Sequence, residues 1–293
     1  MGQEKATTRF RNLLARDGVV MMPGVGDPFT ARMVAQEGFE ALMSSGNATS
    51  AMRLGMADVG MLTLTENAEN AARIVAASGL PVFADADTGY GNALSVRRTV
   101  MEFERAGVAA IMIEDQVTPK RCGMLAGKQV VPAAEMLTKI RAALDARRDD
   151  DLVIVARTDA NAVEGIDSAL RRAEAYQKAG ADAIFVEGPR TVEEANRIAR
   201  SIDAPLVYNV TPTGSVPGLD AATLDKMGYK MLSCSVYMLL AAIPAFRGFL
   251  RTFRETGDPR KAGASAADMK EYLDILGFSD WQKLEDDYLG GKS

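Results

Sequence analysis

Asp85-Ala86-Asp87 sets two carboxylates two residues apart at the end of an apolar run. Side chains at that spacing on a strand share one face, so both acids can aim at one centre. Glu114 ends the next such run, and three acids brought together repel one another unless a cation sits among them. A hard divalent ion that keeps several waters answers that need; two solvated loop acids are the alternative. The chain has 0 histidines. That count excludes Ser-His-Asp and Cys-His catalysis and every histidine-based zinc site. Acid–base chemistry must then come from Cys, Tyr, Lys or carboxylates, and a metal would be held by oxygen, which favours Mg²⁺, with Mn²⁺ as the alternative.

Arg157 closes another apolar run. Near the acids, it could grip a substrate carboxylate in a bidentate fork, or form a salt bridge to Glu114 or Glu187. Cys122 lies in Lys120-Arg121-Cys122-Gly123, within a long polar segment after Glu114-Asp115-Gln116. A thiol beside Lys and Arg is expected to have a lowered pKa. Gly123 and Gly127 would let this loop close over a site. Cys234, inside Met231–Ser235, reads as a buried filler. Thr88-Gly89-Tyr90-Gly91-Asn92 follows the acids, either as a backbone that approaches a ligand or as an ordinary tight turn.

These residues need a frame that brings strand ends together. The predicted strands are Val19–Val25, Ala41–Ser45, Val82–Asp87, Ala109–Glu114, Leu152–Thr158, Ala183–Glu187, Leu206–Val210 and Met231–Ser235. They are rich in Val, Ile, Ala and Met and scarcely alternate, as strands buried on both faces do. Amphipathic helices are predicted between them, among them Pro28–Glu37, Asn67–Ala77, Leu94–Ala106, Ala133–Arg147, Ser168–Ala179, Val192–Ile202 and Ala221–Lys226, with Tyr237–Glu255 after the last strand. AGVAAIMIED and AGADAIFVEG repeat one pattern: helix end, glycine, buried strand, acid. Eight such units predict a closed (β/α)₈ TIM barrel over residues 1–256, with 257–293 as a helical extension that packs on the barrel or a neighbouring subunit. An open doubly wound sheet is the runner-up, but no GxGxxG follows a strand. In a barrel, catalytic groups sit at the C-terminal strand ends; here those are Ser45-Gly46, Asp85, Asp87, Glu114, Arg157, Asp159, Glu187 and Asn209.

The chain's 293 residues, 47% apolar and 25% charged, suit one large globular unit. A formal charge of -5 argues against nucleic acid or an anionic membrane as partner. The polar, mixed-charge start has no signal-peptide centre, and no apolar run is long enough to span a membrane, so a cytoplasmic location is expected. Two cysteines make no disulfide framework.

Together, SSG at 44–46, LGMADVG at 54–60, DADTGYG at 85–91, IEDQ at 113–116, KRCG at 120–123, ARTDA at 156–160, EG at 187–188 and NVT at 209–211 resemble the isocitrate lyase / phosphoenolpyruvate mutase superfamily, closest to its 2-methylisocitrate lyase group. The resemblance spans nearly the whole chain. It implies a Mg²⁺ set of Asp85, Asp87 and Glu114 supported by Asp58, with Asp87 bound directly and the others partly through water. It implies a catalytic set of Cys122, Lys120, Arg157 and Glu187, with Cys122 as the acid–base residue of a gating loop. Ser45, Gly46, Asn47, Gly123, Met124, Asn209 and Thr211 then fall at the substrate.

The reaction implied is retro-aldol cleavage of a 2-hydroxy di- or tricarboxylate into an α-keto acid and a carboxylic acid, with Cys122 protonating the departing carbanion. Helix swapping between subunits and a homotetramer are implied too. The chain departs from the family where histidine normally follows KRCG: here it is Met124. Met43 replaces a frequent aromatic, and Asn47 a small residue. An alkylated malate is therefore the expected substrate. Oxaloacetate decarboxylase or phosphonate mutase and hydrolase chemistry is the alternative within the superfamily, and a non-catalytic binding barrel the alternative outside it.

Overall fold

Eight parallel strands close into one barrel in sequence order: β1 Val20–Val25, β2 Leu42–Ser44, β3 Val82–Asp85, β4 Ala110–Glu114, β5 Val153–Thr158, β6 Ala183–Val186, β7 Leu206–Asn209 and β8 Met231–Cys234. Val20 pairs with Met231 to complete the ring. The architecture is that of a computed structural model, which describes residues 4–212, 216, 218–262 and 267–290. Helices follow the strands as the sequence predicts. Several of them start on side-chain caps, such as Asp27 before Pro28–Gln36 and a Thr63/Glu66 capping box before Leu64–Ser78.

A single alternation positions the site. Met43, Phe83, Met112, Val155, Phe185, Val207 and Met231 fill the barrel interior, while their neighbours Leu42, Ala84, Ile111, Ile113, Ile154, Ile184 and Leu206 pack outward against the helices. A strand's side chains alternate. Two residues beyond each interior filler the chain therefore reaches Ser45, Asp85, Glu114, Arg157, Glu187, Asn209 and Ser233, at the C-terminal mouth. Apolar filling below makes this mouth a rigid platform for polar groups.

Three local differences from the predicted elements bear on the site. Predicted strand Ala41–Ser45 stops at Ser44, because the Ser45 hydroxyl accepts the Ala48 amide and starts a short helix. Predicted strand Val82–Asp87 stops at Asp85, because Asp87 adopts a left-handed φ of 50°. Helix Ala6–Ala15, absent from the predicted elements, buries Phe10 and Leu14 in the interior cluster.

The last barrel helix, Tyr237–Thr256, buries none of its residues and leaves Leu240, Ile243, Phe246, Phe249, Leu250 and Phe253 exposed. Beyond it, Pro259–Ala262, Met269–Leu276 and Phe278–Leu289 are helical. The middle one packs on Pro28–Gln36, with Tyr272 6.1 Å from the Phe29 ring. Of the extension expected over 257–293, residues 263–266 and 291–293 lie outside the described residues. Among the described residues no helix is long and apolar enough to cross a membrane.

Candidate active site

Asp85 and Asp87 converge above Gly46. A Cβ on that glycine would stand 2.8 Å from Asp85 Oδ2 and 3.3 Å from Asp87 Oδ1. The Gly46 amide donates to Asp85 Oδ2 at 3.3 Å, and the Asp87 amide donates to Asp85 Oδ1 at 3.0 Å. Holding a non-glycine residue at positive φ costs about 1–3 kcal/mol, a strain found mostly at functional sites. Here it turns the second carboxylate toward the first. Lys120 Nζ bridges Asp87 at 2.8 Å and Asp58 at 2.6 Å. Burial pushes the Asp87 carboxyl up to about 7; Lys120 pulls against that rise while Asp85 and Asp58 add to it. Burial likewise drives Glu114 well above the usual carboxylate range, against the pull of Arg157.

These acids fit a hard cation. Glu114 Oε1 is buried with no hydrogen-bond partner, and Asp87 Oδ1 has only the Lys120 ammonium nearby, with no well-directed hydrogen bond. An unpartnered buried carboxylate oxygen is costly. The donors are all carboxylate oxygens, the set that Mg²⁺ and Mn²⁺ prefer. Among the described residues no three carboxylate or thiol side chains are grouped so as to hold an ion by themselves. An ion here would therefore keep waters in its shell.

Arg157, 7% exposed, lies on the opposite wall. Its Nε and Nη2 fork onto Asp159 at 2.9 and 3.0 Å. It also meets Glu114 at 3.3 Å and Glu187 at 3.4 Å, and it lies 5.2 Å over the Phe185 ring. The salt bridges read as an alternative in the sequence are thus formed, and Asp159 adds a third acid. Burial alone would raise the Asp159 carboxyl, but Arg157 and Lys128 outweigh it and hold it at about 2.

The segment between Asp115 and Val131 folds down over the mouth. Asp115 anchors its base by accepting from Thr158 Oγ1, the Asp159 amide and Tyr176 OH at 2.8–2.9 Å. Gln116 clasps the Arg121 backbone through both its amide and carbonyl, and the Cys122 amide donates to Asp58 O at 3.0 Å. Asn47 Nδ2 donates to Cys122 Sγ at 3.2 Å. What remains is a cavity of about 30 Å³. That is close to the share of one liquid water, so the segment lies closed over the mouth.

Ser45, Asn47, Asp58, Asp85, Cys122, Gly123, Met124, Arg157, Glu187, Asn209 and Thr211 line this cavity, all of them sequence candidates. Lys120, Gly46 and Glu114 stand against those residues, on Asp58, Asp85 and Arg157 respectively, and Asp87 stands behind them on Lys120. Met43, noted from the sequence as a departure from the family but not placed at the substrate, also lines the cavity, and two lining residues, Phe185 and Ser235, were not singled out at all. The period-two register of β2, β6 and β8 carries the signal that finds them.

One expectation is corrected. The Cys122 thiol is raised, not lowered. Burial is the main cause, and the Asp58 charge adds to it against smaller lowering contacts from Met124 and Asn47. The cations expected to lower it are turned elsewhere: Lys120 toward Asp58 and Asp87, and Arg121 toward the Ala126 carbonyl. A raised thiol keeps its proton at neutral pH and suits a proton donor better than a nucleophile.

Residues 10–254 match the family model described as phosphoenolpyruvate phosphomutase. The chain belongs to this family. Within the isocitrate lyase / phosphoenolpyruvate mutase superfamily, it is 41% identical over 289 residues to 2,3-dimethylmalate lyase of Eubacterium barkeri, covering 97% of this chain and 98% of that one. It is 42% identical over 275 residues to 2-methylisocitrate lyase of Aeropyrum pernix, covering 94% and 88%. A solved structure of phosphonopyruvate hydrolase with oxalate and Mg²⁺ superposes with a TM-score of 0.88 at 30% identity, covering 98% and 100%. The resemblance, the barrel and the enzyme class expected from the sequence are borne out: this is an enzyme of a family whose named relatives include carbon–carbon lyases.

Proposed function

We propose that the chain is a Mg²⁺-dependent lyase that splits a carbon–carbon bond in a small alkyl-substituted 2-hydroxy dicarboxylate, giving an α-keto acid and a carboxylic acid. The observation that carries this reading is a buried thiol, Cys122, enclosed in one cavity with Asp85, Arg157 and Glu187, where burial favours its protonated form. Asp85, Asp87, Glu114 and Asp58 would hold the Mg²⁺, with Mn²⁺ as a substitute. A bound divalent ion supplies Lewis acidity toward the substrate's oxygen atoms.

The rest falls to the chain's own groups. Arg157 faces the cavity from a clamp of three acids and steadies negative charge on the substrate. Ser45, Asn47, Asn209 and Thr211 orient it; Asn209 is itself fixed by Ser233 Oγ, which donates to its Oδ1 at 3.0 Å. As the bond breaks, the substrate's hydroxyl becomes the keto carbonyl and passes its proton to Glu187, whose buried Oε2 has no hydrogen-bond partner; the departing half becomes a carbanion, and the Cys122 thiol, held by Asn47, gives that carbon its proton. The closed loop keeps out water that would compete for this proton transfer.

Met43, Met124 and Phe185 form the apolar part of the lining. A third carboxylate needs a further cation, yet Arg157 already answers three acids and Lys120 two. An alkyl group suits these side chains better than another charge, which favours an alkylated malate over a tricarboxylate such as methylisocitrate.

Screening 2-hydroxy di- and tricarboxylates with Mg²⁺, read by release of an α-keto acid, tests the proposal. Turnover of an alkylmalate, lost on chelation of the metal, is the expected result. Turnover only of oxaloacetate or of a phosphonate would overturn it, and no turnover together with no Mg²⁺-dependent oxalate binding would point to a non-catalytic barrel.

The exposed apolar residues of Tyr237–Thr256 would be covered by a second copy of the chain in a helix-swapped homotetramer. Sedimentation of the full chain checks this. Cys122 and Cys234 are both free thiols, which a reducing cytoplasm preserves.

A further inference from the structure

Lys128 belongs to the closing loop and was not singled out by its sequence context. Its side chain is only 4% exposed. Burying a lone ammonium is costly, so its partners matter. There are two of them. Nζ donates to Gly123 O at 2.6 Å and to Asp159 Oδ1 at 2.9 Å.

One partner lies on the loop, the other on the barrel behind Arg157. Gly123 follows Cys122 and lies against the opposite wall so closely that a Cβ on it would stand 2.7 Å from both Arg157 Nη2 and Glu187 Oε1. Asp159 is the fully buried acid that forks onto Arg157 and sets the direction of its guanidinium. One ammonium therefore joins the segment that carries the thiol to the counter-ion of the arginine. The loop's other cations do not do this: Lys120 serves Asp58 and Asp87, and Arg121 reaches the loop's own Ala126 carbonyl.

We propose that Lys128 is a positioning residue that latches the closed loop, so that seating Cys122 over the cavity and aligning Arg157 become one event. When the loop lifts, Lys128 leaves with it. The bond to Gly123 O lies within the loop and travels with it, but the bond to Asp159 is broken, and Asp159 is left to Arg157 alone. When the loop returns, the ammonium engages only if Gly123 and Asp159 are both in place, which rejects half-closed arrangements. The assignment of roles to Cys122 and Arg157 rests on the function proposed above; the latch itself is a matter of loop geometry and can be tested without turnover.

The test is alkylation of the full-length protein by iodoacetamide, with Cys122 and Cys234 adducts followed separately by peptide mass. The variants are Lys128→Met, Lys128→Gln and Lys128→Arg, each with its melting temperature. Loss of the ammonium should expose Cys122 and raise its alkylation rate about tenfold, through a larger open population. Lys128→Arg should stay within about threefold of the parent, because a guanidinium can still reach both oxygens. Cys234, on β8, should react at an unchanged rate in all of them. Parent-like protection of Cys122 in the Met or Gln variant would overturn the latch. So would an Arg variant as reactive as the Met variant, or equal acceleration at Cys234, which would mean general loosening. If no 2-hydroxy acid proves to be a substrate while Cys122 still responds in this way, the latch stands and the proposed reaction fails.

Discussion

Lys120 Nζ lies 2.8 Å from Asp87 Oδ1, with both side chains almost wholly buried. The same ammonium touches Asp58 at 2.6 Å. Without a metal, this lysine is the nearest compensation for the acids above Gly46. Removing one partner of a buried pair costs about 3–5 kcal/mol, because the other is left uncompensated. Lys120→Met should therefore melt several degrees below the parent in chelator. Added Mg²⁺ should restore more of the melting temperature in the variant than in the parent, since the cation then replaces the lost charge. Equal Mg²⁺-induced shifts in the two proteins would show that the lysine and the metal do not share these acids.

Cys122→Ser should reduce turnover by at least about a hundredfold, the scale of a lost general acid. Mg²⁺ binding, followed by titration calorimetry, should be unchanged, because the thiol touches Asn47 rather than the acids. The pH profile has a definite sign. Burial raises this thiol above the ordinary cysteine value. A proton donor acts only while protonated, so the alkaline fall in kcat should be centred above that ordinary value. A fall centred near neutrality would mean that the thiolate is the active form, or that another group donates.

Much of this site was legible from the register of the strands. Acids and an arginine two residues beyond Phe83, Met112, Val155 and Phe185 can only lie at the mouth once those residues fill the interior. What strand register does not encode is how the loop lies over that mouth. Cys122 was read beside its chain neighbours Lys120 and Arg121, yet in space its neighbours are Asn47 and Asp58, both far off in sequence. Lys128 was passed over for the same reason. Asp87 hides its left-handed turn because aspartate tolerates that backbone without announcing it. Helix Ala6–Ala15 was missed because its buried apolar residues are few, and only the barrel they plug shows their use.

Gly123→Ala should damage the enzyme without unfolding it. A Cβ there would meet Arg157 Nη2 and Glu187 Oε1 at 2.7 Å. Those atoms end flexible side chains, but Asp159 clamps the arginine, so the loop yields before the wall does. The melting temperature should change little, since the loop that carries the added methyl can open locally while the barrel stays intact. The kcat should drop about tenfold or more as the closed state is lost. Normal turnover in this variant would show that the closed loop does not need to approach Arg157 this nearly.

Asp159 links the site to acid stability. Burial works against its ionisation, yet Arg157 and Lys128 hold its carboxyl at about 2. Its unfolded value is near 3.9, so the unfolded chain binds a proton first as pH falls. The stability it supplies is present above about pH 4 and drains away as pH drops toward 2. At about 1.4 kcal/mol per pKa unit, this is on the order of 2–3 kcal/mol. Asp159→Asn should therefore be less stable than the parent at pH 7 in urea, and the gap should narrow below pH 4, where the parent's own Asp159 begins to lose its advantage. A gap that stays constant from pH 7 to pH 2.5 would show that the aspartate contributes through hydrogen bonding alone and not through its charge.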